Sequence, residues 1–291
     1  MISALNKQPD GTIDLTITIP QKRVKKLYET TVSQLVKTAE IKVILKGKAP
    51  RKLVEEKLEK NRVYEEVLKQ LVAEVYVEAA EEHQLKPIVN PQIQVVSMQE
   101  GKDWVIKAVT CELPEVKLGQ YKEAIRKSLA TDKIWVPGKE ATEEDPKTSP
   151  QGAEKENQKL TKIFEALLQA VKVQVPALLL ENEINRMLSR LLDQTSRLGL
   201  TIEQYLASLG KTSEQIRAEY RKTAEEQLQL ELVLSAIADE EAIKVEESEV
   251  EAMIKAVPDE KTRQSVDTPA QRAYIRQILR KRAVIDSLIK L

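Results

Sequence analysis

The chain offers one histidine, one cysteine and a large stock of carboxylates and lysines for chemistry. His83 would have to serve any Ser-His-Asp arrangement. It falls near the end of a polar helical stretch, where the expected role is that of a solvated surface residue. One His and one distant Cys do not make a zinc site. Cys111 stands between Thr110 and Glu112 on an expected strand and reads as a small packing residue rather than a nucleophile. The 46 Asp and Glu residues alternate with 46 Lys and Arg along helix faces, the pattern of solvated i,i+4 pairs. No Gly-rich phosphate loop is found. The expectation is a non-enzyme with no metal and no cofactor.

Charge is informative where it is uneven. Formal net charge is zero over 291 residues. Residues 1–60 nonetheless carry 13 Lys or Arg against 7 Asp or Glu. Lys46, Lys48, Arg51 and Lys52 gather near one expected loop. Such a face suits phosphate-rich RNA or an acidic protein, or it simply solubilises the surface.

The elements that would hold these residues follow from periodicity. Thr12 to Pro20 alternates, with Ile13, Leu15, Ile17 and Ile19 on one face, as in a half-buried strand. Val24, Leu27, Tyr28, Leu35, Val36 and Ala39 recur at helical spacing. After the apolar-basic run Ile41 to Pro50, a helix carrying Leu53, Val54 and Leu58 is expected, since Pro50 suits a first helical turn. A longer helix bears Val63, Val67, Leu68, Leu71, Val72, Val75 and Ala79. Strands are expected around 93–98 and 104–113, turned at Gly101. A short helix is expected around 121–129. Pro137 to Glu156 is polar and rich in Pro, Gly and Ser, and reads as a flexible linker.

Beyond it the pattern is helical. Leu160, Ile163, Phe164, Leu167, Leu168 and Val171 form one stripe. Pro176 opens a helix bearing Leu180, Ile184, Met187, Leu188, Leu191 and Leu192, which Gly199 ends. Thr201 with Gln204, and Thr212 with Gln215, match capping boxes. Gly210 stops the first of these helices, and the second runs to about Glu241. Thr268-Pro269 opens the last helix, with Tyr274, Ile275, Ile278, Leu279, Ile285 and Leu288. Leu178 to Leu180, and the set Leu228, Leu230, Leu232, Val233 and Leu234, exceed one packing stripe. A second, exposed apolar face is therefore an option for these helices.

The predicted fold class is an α+β N-terminal domain joined to an all-α C-terminal helical domain, mostly helical overall. The domains expected are 1–116, a connector and linker over 117–156, and 157–291. No signal peptide is visible at the N-terminus and no run is long enough to span a membrane. The single cysteine fits a reducing compartment. A cytoplasmic protein without membrane association is expected, and a homodimer is left open.

The order of these pieces resembles the trigger factor family of bacterial ribosome-associated chaperones. The N-terminal likeness covers about 11–121, from Thr16-Ile17-Thr18-Ile19 through Lys46-Gly47-Lys48-Ala49-Pro50 to Pro114-Glu115-Val116. The C-terminal likeness covers about 157–255, centred on Val175-Pro176 followed by Leu180-Glu181-Asn182-Glu183-Ile184. The resemblance implies a ribosome-binding domain whose loop docks at the exit tunnel, and a helical domain whose arm-like projections cradle nascent chains.

The family's loop signature reads Gly-Phe-Arg-x-Gly-Lys-x-Pro. Gly47, Lys48 and Pro50 match its end, while Val43, Ile44 and Leu45 stand where Gly, Phe and Arg are expected. Losing the guanidinium contact costs about 1.5–3 kcal/mol. Lys46 and Lys48 offset part of that, and Ile44 and Leu45 offer an apolar contact. The implied ribosome-binding set, toward an exit-tunnel protein and rRNA, is thus Ile44, Leu45, Lys46, Gly47, Lys48 and Pro50.

The family also carries an FKBP-type prolyl isomerase domain between its halves. Here that place holds a linker of about 20 residues, against the ~40–60 a small domain needs. No isomerase activity is expected. The function implied is ATP-independent holding of nascent or unfolded polypeptides. Aliphatic, Met-containing surfaces suit such promiscuous binding. The candidate client contacts are Met187, Leu191, Leu198, Leu206, Leu209, Tyr220 and Met253. The alternatives are a helical scaffold that no longer binds ribosomes and an RNA-binding module. The latter is the weaker, because no aromatic stacking platform is seen beside the lysines.

Overall fold

The computed structural model describes residues 1–38, 60–130 and 150–291. The predicted helix over Leu53, Val54 and Leu58 lies outside them. The chain divides into two compact units, Met1–Leu113 with Pro176–Leu179, and Pro114–Val175 with Leu180–Leu291.

The first unit opens on β1 (Ile2–Lys7), which pairs antiparallel with β2 (Thr12–Ile19). Between them Gly11 takes φ 85°, a left-handed turn that a Cβ would strain. The Asp10 carboxylate accepts from the Thr12 amide and hydroxyl, both at 2.9 Å. Next come α1 (Gln21–Thr38), α2 (Lys60–Glu82), β3 (Gln92–Ser97) and β4 (Trp104–Cys111). All pairings are antiparallel, in the order β1-β2-β4-β3.

Alternation along β2 and β4 turns Leu15, Ile17, Ile19, Trp104, Ile106 and Ala108 onto one face. Val63, Val67, Leu71, Val75 and Ala79 meet them from α2 at strict i,i+4 spacing, together with Val24 and Val32 of α1. Arg23 ties the two helices by a fork to Glu78, at 2.6 and 2.7 Å, and by a 3.2 Å contact to Glu74.

The second unit contains α3 (Tyr121–Ala130), α4 (Pro150–Ala170), α5 (Ala177–Arg197), α6 (Ile202–Leu209) and α7 (Ser213–Glu240). It ends in α8 (Glu247–Lys255), α9 (Glu260–Val266) and α10 (Pro269–Ile289). Its core joins Tyr121 and Ile125 to Ile163, Leu167, Val233, Ile237, Val284 and Leu288.

Three local readings change here. Helix α4 begins at Pro150, inside the segment read as linker to Glu156; proline at a first helical position costs no backbone hydrogen bond. The connector from residue 117 gives Leu118, Tyr121 and Ile125 to the helical core. The surplus of Leu228, Leu232, Val233 and Leu234 on α7 is buried rather than free. A helix that is apolar all round is one enclosed by neighbours, here α4 and α10.

Candidate functional site

His83 is half-buried, not simply solvated. β1 brings Ser3 to it: Ser3 Oγ lies 2.9 Å from His83 Nε2 and donates to Glu82 Oε2 at 2.7 Å. With its one proton given to Glu82, Ser3 accepts from a protonated Nε2. The serine is thus a tether between β1 and the end of α2. Cys111 is fully buried on β4. Burial first, and then the Asp10 charge, pushes its thiol up to about 11. A neutral thiol without access is a packing group.

The candidate apolar residues separate into buried and exposed sets. Leu191 of α5 and Leu206 of α6 are only 5% and 7% exposed. With Ile216 of α7 they form a small core of their own, flanked by Leu188, Ile202, Tyr205 and Tyr220. Leu191 and Leu206 therefore leave the expected contact surface. Periodicity marks the apolar stripe of α5 but not the α6 and α7 residues that cover it. Tyr220 is half-buried against the same cluster. Burial, then the neighbouring Tyr205 and Glu219, raises its phenol above the usual range. Met187 is also half-buried.

Leu198 is 70% exposed, and Leu209 and Met253 are exposed as well. Leu192 and Leu200 are exposed too, and were missed from the sequence as candidate contacts. Leu198 and Leu200 flank Gly199, which turns at φ 71°. That was the available signal: apolar residues on both sides of a helix stop cannot both lie on its buried stripe.

The local frame around these leucines is well fixed. The Thr201 and Thr212 hydroxyls accept from the amides of Gln204 and Gln215 at 3.2 Å. The two Gln side chains accept in return from the Thr amides at 2.9 Å. Each reciprocal cap stabilises its helix by about 1 kcal/mol. Gly210, at φ 64°, closes α6 by donating to Leu206 and Ala207 carbonyls. Arg217 reaches Glu181 at 2.5 Å, fastening α7 to α5. Leucines are thereby held in water on a structured support instead of collapsing together.

A second exposed apolar group lies on α8 and α10, with Met253, Tyr274 and Ile278. Tyr274 and Ile278 share a face by i,i+4 spacing. Glu247 of α8 pairs with Arg272 at 2.7 Å and Arg276 at 2.5 Å, holding α8 on α10. The first group is aliphatic, and the second mixes a thioether, a phenol ring and an isoleucine. They can cover apolar surface of varied shape and select no single side chain. The other set, Ile44, Leu45, Lys46, Gly47, Lys48 and Pro50, lies outside the described residues.

Comparison with known proteins also divides the chain in two, but between residues 144 and 148, inside the second compact unit. The family model for bacterial trigger factor protein matches residues 1–144, and that for its C-terminus matches 148–290. The trigger factor of Natranaerobius thermophilus is 35% identical over 145 residues, 50% of this chain and 31% of that one. That of Staphylococcus epidermidis is 34% identical over 108 residues, 37% of this chain and 25% of that one. The chain thus spans between a quarter and a third of the length of these curated relatives. A solved structure, from work on promiscuous substrate recognition in the folding and assembly activities of the trigger factor chaperone, aligns over 100% of this chain and 99% of its own. Its TM-score is 0.67 at 14% identity, a likeness of fold.

Proposed function

This chain belongs to the trigger factor family, and from that premise we propose that it is a cytoplasmic, ATP-independent chaperone that holds nascent or unfolded polypeptides. The observation that carries the proposal is the exposure of Leu192, Leu198, Leu200 and Leu209 on a capped, ion-paired helical frame. Side chains 40–70% exposed leave about 0.6–2 kcal/mol of burial unrealised for each. A fixed backbone beneath them means that burial is recovered against another chain. Among the described residues no helix is long and apolar enough to cross a membrane.

Suppression of light scattering tests this reading. The full chain is mixed at equimolar ratio, without nucleotide, with a denaturant-diluted client that aggregates. Scattering falls if the chain is a holdase. Scattering equal to that with an inert protein overturns the proposal.

Two finer statements belong to the same reading. The first is ribosome association through Ile44 to Pro50, with Lys46 and Lys48 as the charged contacts. Co-sedimentation with ribosomes that is unchanged by Lys46→Ala with Lys48→Ala would remove those contacts from the account. The second is the lack of a prolyl isomerase step. The two matched family regions end at 144 and resume at 148, which leaves no length for an interposed domain. A protease-coupled assay on a proline peptide is expected to show no acceleration, and clear acceleration would refute it.

A further inference from the structure

Residues 244–279 are a part of the second unit held by charge more than by packing. Their only buried side chains are Val250 and Ile254 of α8. By contrast α7 alone buries eight, and α9 buries none. The buried residues of α10, Val284 and Leu288, both fall in its second half. None of the buried residues of the main helical core comes from 244–279.

Ion pairs supply what packing does not. Glu247, in the first turn of α8, binds Arg276 and Arg272 of α10 at 2.5 and 2.7 Å. Arg272 also reaches Asp267, just past α9, at 2.5 Å. Arg276, then Arg272, hold the Glu247 carboxyl below its usual range. Helices α8 and α9 are tied to each other separately, because Arg263 of α9 donates to the Val257 carbonyl at 3.0 and 3.3 Å. The base of the segment is anchored: Arg280 donates to the Ile243 carbonyl at 3.0 Å and to Asp239 at 2.6 Å. There Ala242 takes φ 50°, a left-handed joint made without glycine.

We propose that α8 and α9 are a flap latched to α10 by Glu247, which opens as a unit and uncovers Val250 and Ile254. A segment with two buried side chains has little burial to lose on opening. Exposed ion pairs are individually weak and are screened by salt. The latch therefore loosens as ionic strength rises, while the packed part of α7 stays closed. Ile254 is next in sequence to the exposed Met253, so opening enlarges that apolar surface. The consequence for binding rests on the holding function proposed above: an unfolded chain takes the open form, and the cost of opening lowers its affinity.

Hydrogen exchange of the full chain, read by mass spectrometry at about 0.05 and 0.5 M sodium chloride, tests the latch. A nine-residue helix released from its support is not stable alone, so α8 amides report the release. Parent, Glu247→Gln and Glu249→Gln are compared. Glu249 lies in the same first turn and takes part in none of these pairs, so its variant removes the same charge and keeps the latch. At low salt α8 should exchange about three- to thirtyfold faster in Glu247→Gln. Salt should accelerate α8 in the parent and in Glu249→Gln, and less so in Glu247→Gln. Amides of α7 around Val233 and Ile237 should not change. The latch is overturned if α8 exchange ignores both salt and Glu247→Gln, if Glu249→Gln matches Glu247→Gln, or if α7 accelerates with α8. A labelled unfolded client reads the second step. It should bind Glu247→Gln more tightly than the parent, and adding Ile254→Ser should remove the gain. Equal affinity for parent and Glu247→Gln would overturn the coupling of the flap to the client. Binding by no form would refute the holding function and that coupling together, with the latch still decided by exchange.

Discussion

Leu206 and Leu209 lie three residues apart on one short helix, yet their truncation should have opposite consequences. Leu206 is 7% exposed and packs with Leu191 and Ile216, whereas Leu209 is 47% exposed. Removing a buried leucine costs about 2–5 kcal/mol through lost transfer energy and the cavity left behind. This cluster has only three buried members, which can relax around a gap, so the lower end of about 2–3 kcal/mol is expected. The loss should be local, because the cluster is separate from the main helical core. Amides of α6 and the first turns of α7 should therefore exchange about 30- to 150-fold faster in Leu206→Ala.

Leu209→Ala should change stability by no more than about 0.5 kcal/mol. Its effect belongs to client binding, alongside Leu198→Ser. Covering the free 70% of Leu198 is worth about 1–2 kcal/mol, a five- to thirtyfold change in affinity. Leu198 lies in the turn after α5, so serine there removes no helical position. Hydrogen exchange by mass spectrometry and anisotropy of a labelled unfolded client read the two effects apart. Unchanged exchange in Leu206→Ala, or loss of fold in Leu198→Ser, would refute the division into support and surface.

Other predictions rest on single groups. The Cys111 thiol sits at about 11 when folded against 9.0 unfolded, so the unfolded chain loses its proton first and stability falls as pH rises between those values. The fall should reach about 2–3 kcal/mol and be absent from the slope of Cys111→Ala in pH-dependent urea melts. The same thiol should react with an aromatic disulfide only after denaturation, and rapid native labelling would contradict its burial.

Lys122 at 2.8 Å, with smaller contributions from Ser287 and Tyr121, holds the Glu241 carboxyl below its usual range. Its contribution is therefore present at neutral pH and lost as pH falls through the depressed value. Glu241→Gln should cost about 1 kcal/mol at pH 7 and flatten the acid limb of the stability curve. Thr212→Ala should cost about 1 kcal/mol in a thermal or urea melt by opening the cap of α7, and no change would remove the cap from the account.

The features legible in the sequence are those set by neighbours along the chain. Both capping boxes and the left-handed stop at Gly210 depend on residues within four positions, and they stand as read. So do the alternation of β2 and the i,i+4 stripe of α2. Strand β1 escaped because Ile2–Lys7 has little alternation of its own and is fixed by pairing with β2. Helices α8 and α9 are short: the buried pair Val250 and Ile254 of α8 is too brief a stripe to stand out, and Val266 is the one apolar residue of α9.

The apolar surface was only half legible for a related reason. Leu191 and Leu192 are adjacent leucines on one helix, and only the arrival of Leu206 and Ile216 decides which is covered. The ring cluster of Tyr28, Tyr64 and Trp104 was invisible because residues 28, 64 and 104 meet only after the sheet and two helices assemble. Family likeness supplied what physics could not: the expectation that the exposed leucines face a client.

That expectation is tested most directly by measuring the affinity of an unfolded, fluorescently labelled client for the full chain and for a variant carrying Leu192→Ser, Leu198→Ser, Leu200→Ser and Leu209→Ser. The account predicts saturable, nucleotide-independent binding by the parent chain and at least about a hundredfold loss in the variant, with α6 exchange protection retained. Equal binding by the two proteins, with the variant folded, would contradict it.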